Sequence, residues 1–543
     1  MFVSLKLLLF MEALQLLAFG IFYACLNRDG RRVIRPMDVA LALAIPVIGL
    51  FGHNKYVLYG FLFFVPLLSV GKPGQLVCRY LLLLPLFPEI SDKIMIGSLY
   101  LLDFSAIDAF NFGALTALVL TRRNRARSIP AIDATAWIIF ALSLMMQTRG
   151  IPLNGMLRSV PGVVFSIVPP FYILARLVST RRIAQDGVLF FILGGFINAI
   201  VALFETLRHW PLYQSFYAGL NVPMTGLSAT LAVRSGMLRA QGVVGDPTML
   251  GMIVALALVA MLAVRLRFQP IGRLVIMGLL AGGMVMSQSR GAWMAAATGA
   301  ALYLLFERRV ALLAGVIFLS LLASMATLLA PEHGKIASLL GRSGQAQWTA
   351  DYRKNLFQRG LQEVAHHPLT GQTRAQLEVS MNDMRQGQRI IDFVNTHLNV
   401  ALIAGLGGLL LWLIAWFVPL TVGWGSRSRH SAHDARSPVA LPFALVGACF
   451  VGLSLTSMID RMTPVVMIAM GMMSAYVRLA RTDKVESAAR SAVSSSKLVA
   501  RIPRTDDRPD GDRDIDGSER RRSGYGGGVS PPLLSGAIKR GII

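Results

Sequence analysis

The chain has 543 residues and a net charge of +24, yet it is 54% hydrophobic and only 15% charged. Its mean hydropathy is +0.57. A soluble domain carries about 25% charged residues, so one soluble core cannot account for this composition. The basic residues lie in short loops between apolar runs and in the tail, not on one domain, which excludes a nucleic-acid-binding protein.

Apolar runs recur through the first 480 residues. About 20 apolar residues in helical form cross a hydrocarbon core, each backbone group bonded within its own helix. Helices are expected near 5–26, 37–52, 55–71, 76–90, 104–120, 131–147, 160–178 and 187–207. They continue at 247–264, 271–287, 291–306, 310–330, 397–421, 438–457 and 463–480. The expected fold is an all-α polytopic membrane helix bundle of about 13–15 transmembrane helices. The pairs 37–71 and 76–120 leave room for re-entrant segments. The first run, Met1 to Leu26, lacks a small-residue cleavage site and reads as a retained helix.

Orientation follows from the loops. Arg28, Arg31, Arg32 and Arg35 form one basic loop, and Arg122, Arg123, Arg125 and Arg127 another. Arg181 and Arg182, then Arg265, Arg267 and Arg273, then Arg308 and Arg309, then Arg427, Arg429 and Arg436 form the rest. The expected helix order puts all of them on one side, the cytoplasm by the positive-inside rule. Six segments follow: N-terminal helices 1–207, a loop 208–246 on the opposite face, central helices 247–330, a large loop 331–396 on that same face, C-terminal helices 397–480 and a disordered cytoplasmic tail 481–543. The tail is Arg, Asp, Ser and Gly rich and too poor in apolar residues to fold. Cys25, Cys78 and Cys449 are far apart in apolar runs and suggest no disulfide framework.

Four polar clusters stand at the outer helix ends. Arg239-Ala-Gln-Gly242 precedes Gly245-Asp246-Pro247-Thr248, where Pro247 starts a helix that Asp246 caps. Ser287-Gln288-Ser289-Arg290-Gly291-Ala292 fills a very short turn between apolar helices, leaving Arg290 to reach headgroups or bind an anion. Arg353 lies on the polar side of an amphipathic stretch, 352–366, with apolar Leu356, Phe357, Leu361 and Val364. It is followed by His366-His367-Pro368-Leu369-Thr370-Gly371, whose histidines lack liganding partners at helical spacing. Asp392, Asn395 and His397 enter an apolar helix that continues through Gly405-Leu406-Gly407-Gly408. At that spacing a carboxylate, an amide and an imidazole are expected to share one face, and histidine suits proton transfer near neutral pH. Arginine binds diphosphate in a fork and stays charged. A diphosphate leaving group, whose charge grows in the transition state, needs that neutralisation.

These stretches, in this order, resemble the O-antigen ligase and polysaccharide polymerase superfamily of bacterial inner-membrane proteins. The resemblance covers roughly 235 to 415 by motif. Arg239 with Gly245-Asp246-Pro247-Thr248 resembles the family's arginine and Pro-Asn helix start, with Thr248 for Asn. Ser289-Arg290-Gly291-Ala292 resembles its Ser-Arg-Gly element, and Arg353 with Pro368-Leu369-Thr370-Gly371 its loop arginine and Pro-Leu-x-Gly pattern. Eleven residues before Gly405 the family's ligases carry His-Asn; here Val394-Asn395 stands there, which looks more like the exopolysaccharide-type polymerase branch.

The resemblance implies a metal-independent glycosyltransferase without cofactor. Its donor is an undecaprenyl-diphosphate-linked glycan, its acceptor another lipid-linked glycan or a lipid, and its location the inner membrane. In that bacterial membrane the loops 208–246 and 331–396 are periplasmic. Diphosphate binding falls to Arg239, Arg290 and Arg353, and work on the acceptor hydroxyl to His397, Asn395 and Asp392. Two other classes compete. One is a transporter or flippase of lipid-linked glycan, for which midplane charges are few and Glu205, near a helix end, is one candidate. The other is a metal-dependent transferase using Glu89 and Asp92.

Overall fold

In the computed structural model the described residues are 2–52, 54–88, 90–121, 126, 129–219, 233–234, 237–329, 345–385, 391, 393–427, 437–456 and 462–499. Met1–Glu486 pack as one compact unit. Ser487–Ile543 are a second unit, of which only the end of a helix to Val499 is described. Of the tail 481–543 expected to be disordered, 481–499 continue that helix, and 500–543 lie outside the described residues.

The protein is an all-α polytopic membrane protein. Its helices are α1 Phe2–Cys25, α2 Pro36–Phe51, α3 Lys55–Leu67, α4 Pro73–Leu83, α5 Ala106–Leu120 and α6 Pro130–Thr148. Then come α7 Leu153–Leu177, α8 Arg181–Arg208, α9 Leu212–Gly219, α10 Pro247–Ala260, α11 Pro270–Met286 and α12 Arg290–Phe306. The last are α13 Val310–Leu329, α14 Gln345–His366, α15 Arg374–Ser380, α16 Thr396–Gly425, α17 Ala440–Leu453 and α18 Met462–Val499. Among the described residues six helices are long and apolar enough to cross a membrane, and seven more apolar helices are 10–17 residues long. Proline opens α2, α4, α6, α10 and α11, where its missing N–H is no loss.

Small residues bring the central helices together. A side chain at Gly283 of α11 would strike Ala199 of α8, and one at Gly299 of α12 would meet Val259 and Ala448. Between apolar helices in lipid, close backbone approach replaces the hydrophobic drive that water supplies.

Two short hairpins depart from the expected all-helical pattern. Ser91–Ile96 (β1) pairs antiparallel with Leu99–Ser105 (β2), and Val233–Arg234 (β3) with Met237–Leu238 (β4). The expected helix 76–90 ends early, its α-helical part at Leu83, where Leu84-Pro85-Leu86 form a 3-10 turn and Pro85 cannot donate to the helical ladder. Beyond it, Lys55 and Tyr56 hold Asp92 of the first hairpin through an ion pair and a hydrogen bond.

The loops sort into two ends. The Asn27 N–H bonds to the carbonyl of Arg267, Arg427 Nη2 to that of Leu305, and Arg478 Nη1 to that of Ala175. With the order of the helices, these bonds put the described basic segments around Arg31, Arg267, Arg427 and Arg478 at one end of the bundle. Arg122, Arg123, Arg125, Arg127, Arg429 and Arg436 lie outside the described residues. At the other end, Ala240 bonds to Met286, Thr396 to Thr456 and Arg149 to Thr370.

Candidate functional site

At this second end the chain 239–246 is held from below by two buried side chains of α8. The Glu205 carboxylate accepts N–H bonds from Leu212 (3.1 Å), Gln241 (2.9 Å) and Gly242 (2.8 Å). Asn198 accepts from Val243 at 3.2 Å and donates to the Pro85 carbonyl at 2.7 Å. Glu205, weighed from sequence as a transport residue, is thus committed to shaping this turn.

The turn delivers Arg239, only 8% exposed, onto the next cluster. Its Nε donates to the Ser287 carbonyl at 2.9 Å and its Nη2 to Thr248 Oγ1 at 3.4 Å. Asp246 caps α10 by accepting from Met249 N at 2.7 Å. Thr248 sits in the first turn of α10 and meets the arginine directly.

Arg239 therefore touches the turn that presents Arg290. Within it Ser287 Oγ donates to the Met284 carbonyl and accepts from Ser289 N. Gln288 adopts a left-handed backbone, φ 50°, is 7% exposed, and its Nε2 is buried without a hydrogen-bond acceptor. Arg290 opens α12, is half-buried, and makes no hydrogen bond or ion pair among the described residues. Ser289, at the cap position, makes no side-chain cap bond. A guanidinium and an amide nitrogen, both donors without partners, thus stand beside the positive end of a 17-residue helix. That set matches an anion.

The same end of the bundle carries the entry to α16. A side chain at Gly291 would meet Leu455, just past α17, and the neighbouring Thr456 carbonyl accepts from Thr396 Oγ1 at 2.8 Å. Arg290 and the start of α16 therefore flank one helix terminus. Asn395 caps α16, its Oδ1 accepting from Leu398 N at 3.1 Å. One turn later the Asn399 Oδ1 is buried without a donor. At about 100° per residue these two amides lie on one side of the helix.

His397 does not join them. It is about 200° around the helix from Asn395. Its Nδ1 accepts from Trp412 Nε1 at 2.8 Å and its Nε2 bonds to the Phe450 carbonyl at 3.1 Å. Trp Nε1 only donates and a carbonyl only accepts, so the ring is the neutral Nε2–H tautomer with both nitrogens engaged. This corrects the expectation that imidazole and amide share a face. Asp392 lies outside the described residues.

Arg353 sits on α14, whose Leu356 and Val364 pack with Ile391, Leu398 and Leu402. Gly360 abuts Leu398. Seven residues is close to two full turns, so Arg353 shares the Gly360 face, about 10 Å toward the α14 N-terminus. That is the level of the segment preceding α16. His366 and His367 are exposed, and no group of three or more His, Cys, Asp or Glu able to hold a metal occurs among the described residues. Glu89 lies outside them, and Asp92 pairs with Lys55.

The motif Pro368-Leu369-Thr370-Gly371 lies against a break in α16. Gly405 has φ 69° and ψ −172°, Leu406 N donates to the Pro368 carbonyl at 2.7 Å, and Gln372 N to the Leu402 carbonyl at 2.7 Å. Arg149, just past α6, donates Nη1 to the carbonyls of Thr370 and Ile403, and Nη2 to that of Gly371 at 3.3 Å. A cavity of about 550 Å³ opens beside it, lined by Met145, Thr148, Arg149, Met156, Leu369 and Ala404 among others. Sequence reasoning missed Arg149, Gln288 and Asn399. Arg149 carried the same signal as Arg290, a lone arginine in a short turn between apolar helices.

Residues 274–416 match the family model described as O-antigen ligase. No curated protein matches the chain.

Proposed function

The chain carries an O-antigen ligase domain and belongs to the O-antigen ligase and polysaccharide polymerase superfamily; from that premise we propose that it transfers glycan from a lipid-linked diphosphate donor to a hydroxyl of a second glycan or lipid. It is a membrane enzyme of surface-polysaccharide assembly. The reaction takes place at the end of the bundle bearing Arg290, the periplasmic face of a bacterial inner membrane.

The observation that carries the reading is the set of unpartnered donors at the start of α12, with Arg290 half-buried beside the Arg239-bonded turn. The acceptor oxygen attacks the anomeric carbon, the bond from that carbon to the diphosphate oxygen breaks, and the electron pair leaves on the diphosphate. Arg290 neutralises this charge, Arg239 fixes the turn and adds positive potential, and Arg353 closes over the donor from α14. Asn395 and Asn399 orient the acceptor hydroxyl. Its proton passes to Asp392, the one acidic residue between 391 and 399. His397 holds the first turn of α16 against α17 instead of taking the proton. No step needs a cofactor.

The test is elongation of a preloaded lipid-linked glycan in proteoliposomes. Arg290→Ala is expected to lower turnover about 100-fold, the effect of removing one donor from a developing anion, and Arg290→Lys to restore part of it. Full activity in Arg290→Ala removes that residue from the reaction. A wild-type protein that moves the carrier between leaflets but lengthens nothing is a transporter.

A further inference from the structure

Breaking a helix strands carbonyls on one side and N–H groups on the other. At Gly405 the stranded groups are answered from outside α16: Leu406 N by the Pro368 carbonyl, the Leu402 carbonyl by Gln372 N, and the Ile403 carbonyl by Arg149. Arg149 simultaneously grips Thr370 and Gly371, so one guanidinium ties the loop 368–371 to the end of the half-helix 396–404. Its positive charge faces the negative end of that half-helix. The 550 Å³ cavity lies against Arg149, Leu369, Thr370 and Ala404, so open space rather than packed protein backs this side of the junction.

The half-helix is about 13 Å long and is fastened at both ends. Thr396 bonds to Thr456 at its start, and Arg149 holds its finish. Asn395 and Asn399 ride on the first turn. A short rigid rod released at one end shifts at the other.

We propose that Arg149 is a positioning residue: its guanidinium latches the loop 368–371 to the broken α16 and thereby sets where Asn395 and Asn399 meet the acceptor. The catalytic half of this statement rests on the transfer reaction proposed above; the latch itself does not. Lysine keeps the charge but not the planar fork that reaches three carbonyls.

The test uses the full-length protein with Arg149→Lys and Arg149→Gln, each checked for wild-type monodispersity and melting. If the glutamine variant does not fold, the lysine variant carries the comparison. Amide exchange at Leu406 and Gln372 is expected to accelerate at least about tenfold as their bonds open locally. Turnover in the elongation assay is expected to fall about 10- to 100-fold with KM for the donor unchanged, because misplacement by an ångström acts on the reacting geometry. Unchanged exchange overturns the latch whatever the activity. Faster exchange with wild-type turnover overturns the positioning role. Failure of the proposed reaction is distinguishable, because it appears in the wild-type protein as absence of elongation, while the exchange measurement still reads the latch.

Discussion

At the scale of single residues, the turn that presents Arg290 contains two unfavourable features. Gln288 holds φ 50°, a region that costs a non-glycine residue about 1 kcal/mol or more, and buries an amide donor without an acceptor. Strain beside a cluster of donors is what a preformed anion site looks like. Gln288→Gly removes the strain and is expected to raise thermal stability by about 1 kcal/mol while lowering elongation. A less stable variant with full elongation shows that Gln288 is a packing group. The sequence singled out Arg239 and Arg290 because arginines beside apolar helices announce themselves, and the structure brings the Arg239 side chain onto the turn that presents Arg290. His397 was misread because spacing alone does not say where a helix begins. With Asn395 as the cap and His397 the second helical residue, the two diverge, and Trp412 and Phe450 claim the ring.

At the scale of elements, α16 was legible as an apolar helix but its break was not. Gly405 could have been an ordinary small packing residue; only the approach of Leu369 makes its left-handed, extended backbone necessary. A side chain there would lie 2.3 Å from the Leu369 carbonyl oxygen. Gly405→Ala combines that clash with a backbone state almost restricted to glycine, so a loss of about 3 kcal/mol or more is expected in thermal unfolding. Wild-type melting would mean that the loop docks elsewhere.

The loop carries its own pH dependence. Burial of Glu363 raises its carboxyl, but the Gln372 amide at 2.8 Å, Arg359 at 2.7 Å, Ser380 and His366 outweigh it and hold the group below its ordinary 4.5. A depressed folded value stabilises above the ordinary one, and that contribution is lost as pH falls through the folded value. Limited proteolysis of the 345–385 region is therefore expected to speed up on acidification below 4.5. Glu363→Gln is expected to be cleaved faster at neutral pH and to lack that step; a variant that retains it assigns the step to another carboxylate.

At the scale of the whole molecule, composition was enough for fold class, because lipid demands long apolar helices and arginine marks their ends. Against the 13–15 spans expected, six helices among the described residues are long and apolar enough to cross a membrane. The hairpins and the shaping role of Glu205 were not legible, since both depend on pairings between distant parts of the chain. The sorting of loops was: the segments around Arg31, Arg267 and Arg427 do share one end, and those around Arg149, Arg290 and Asn395 the other. Translocating arginine-rich short loops is disfavoured, so the first end is expected to face the cytoplasm. The check is a chain whose Cys25, Cys78 and Cys449 are replaced by serine, with one cysteine returned at exposed Glu378 or exposed Arg32. Glu378→Cys is expected to react with a membrane-impermeant maleimide in intact spheroplasts, and Arg32→Cys only after lysis. The reverse labelling would place Arg290 and Asn395 beside cytoplasmic nucleotide sugars. The donor would then need no lipid, and the proposed use of a lipid-linked diphosphate would lose its reason.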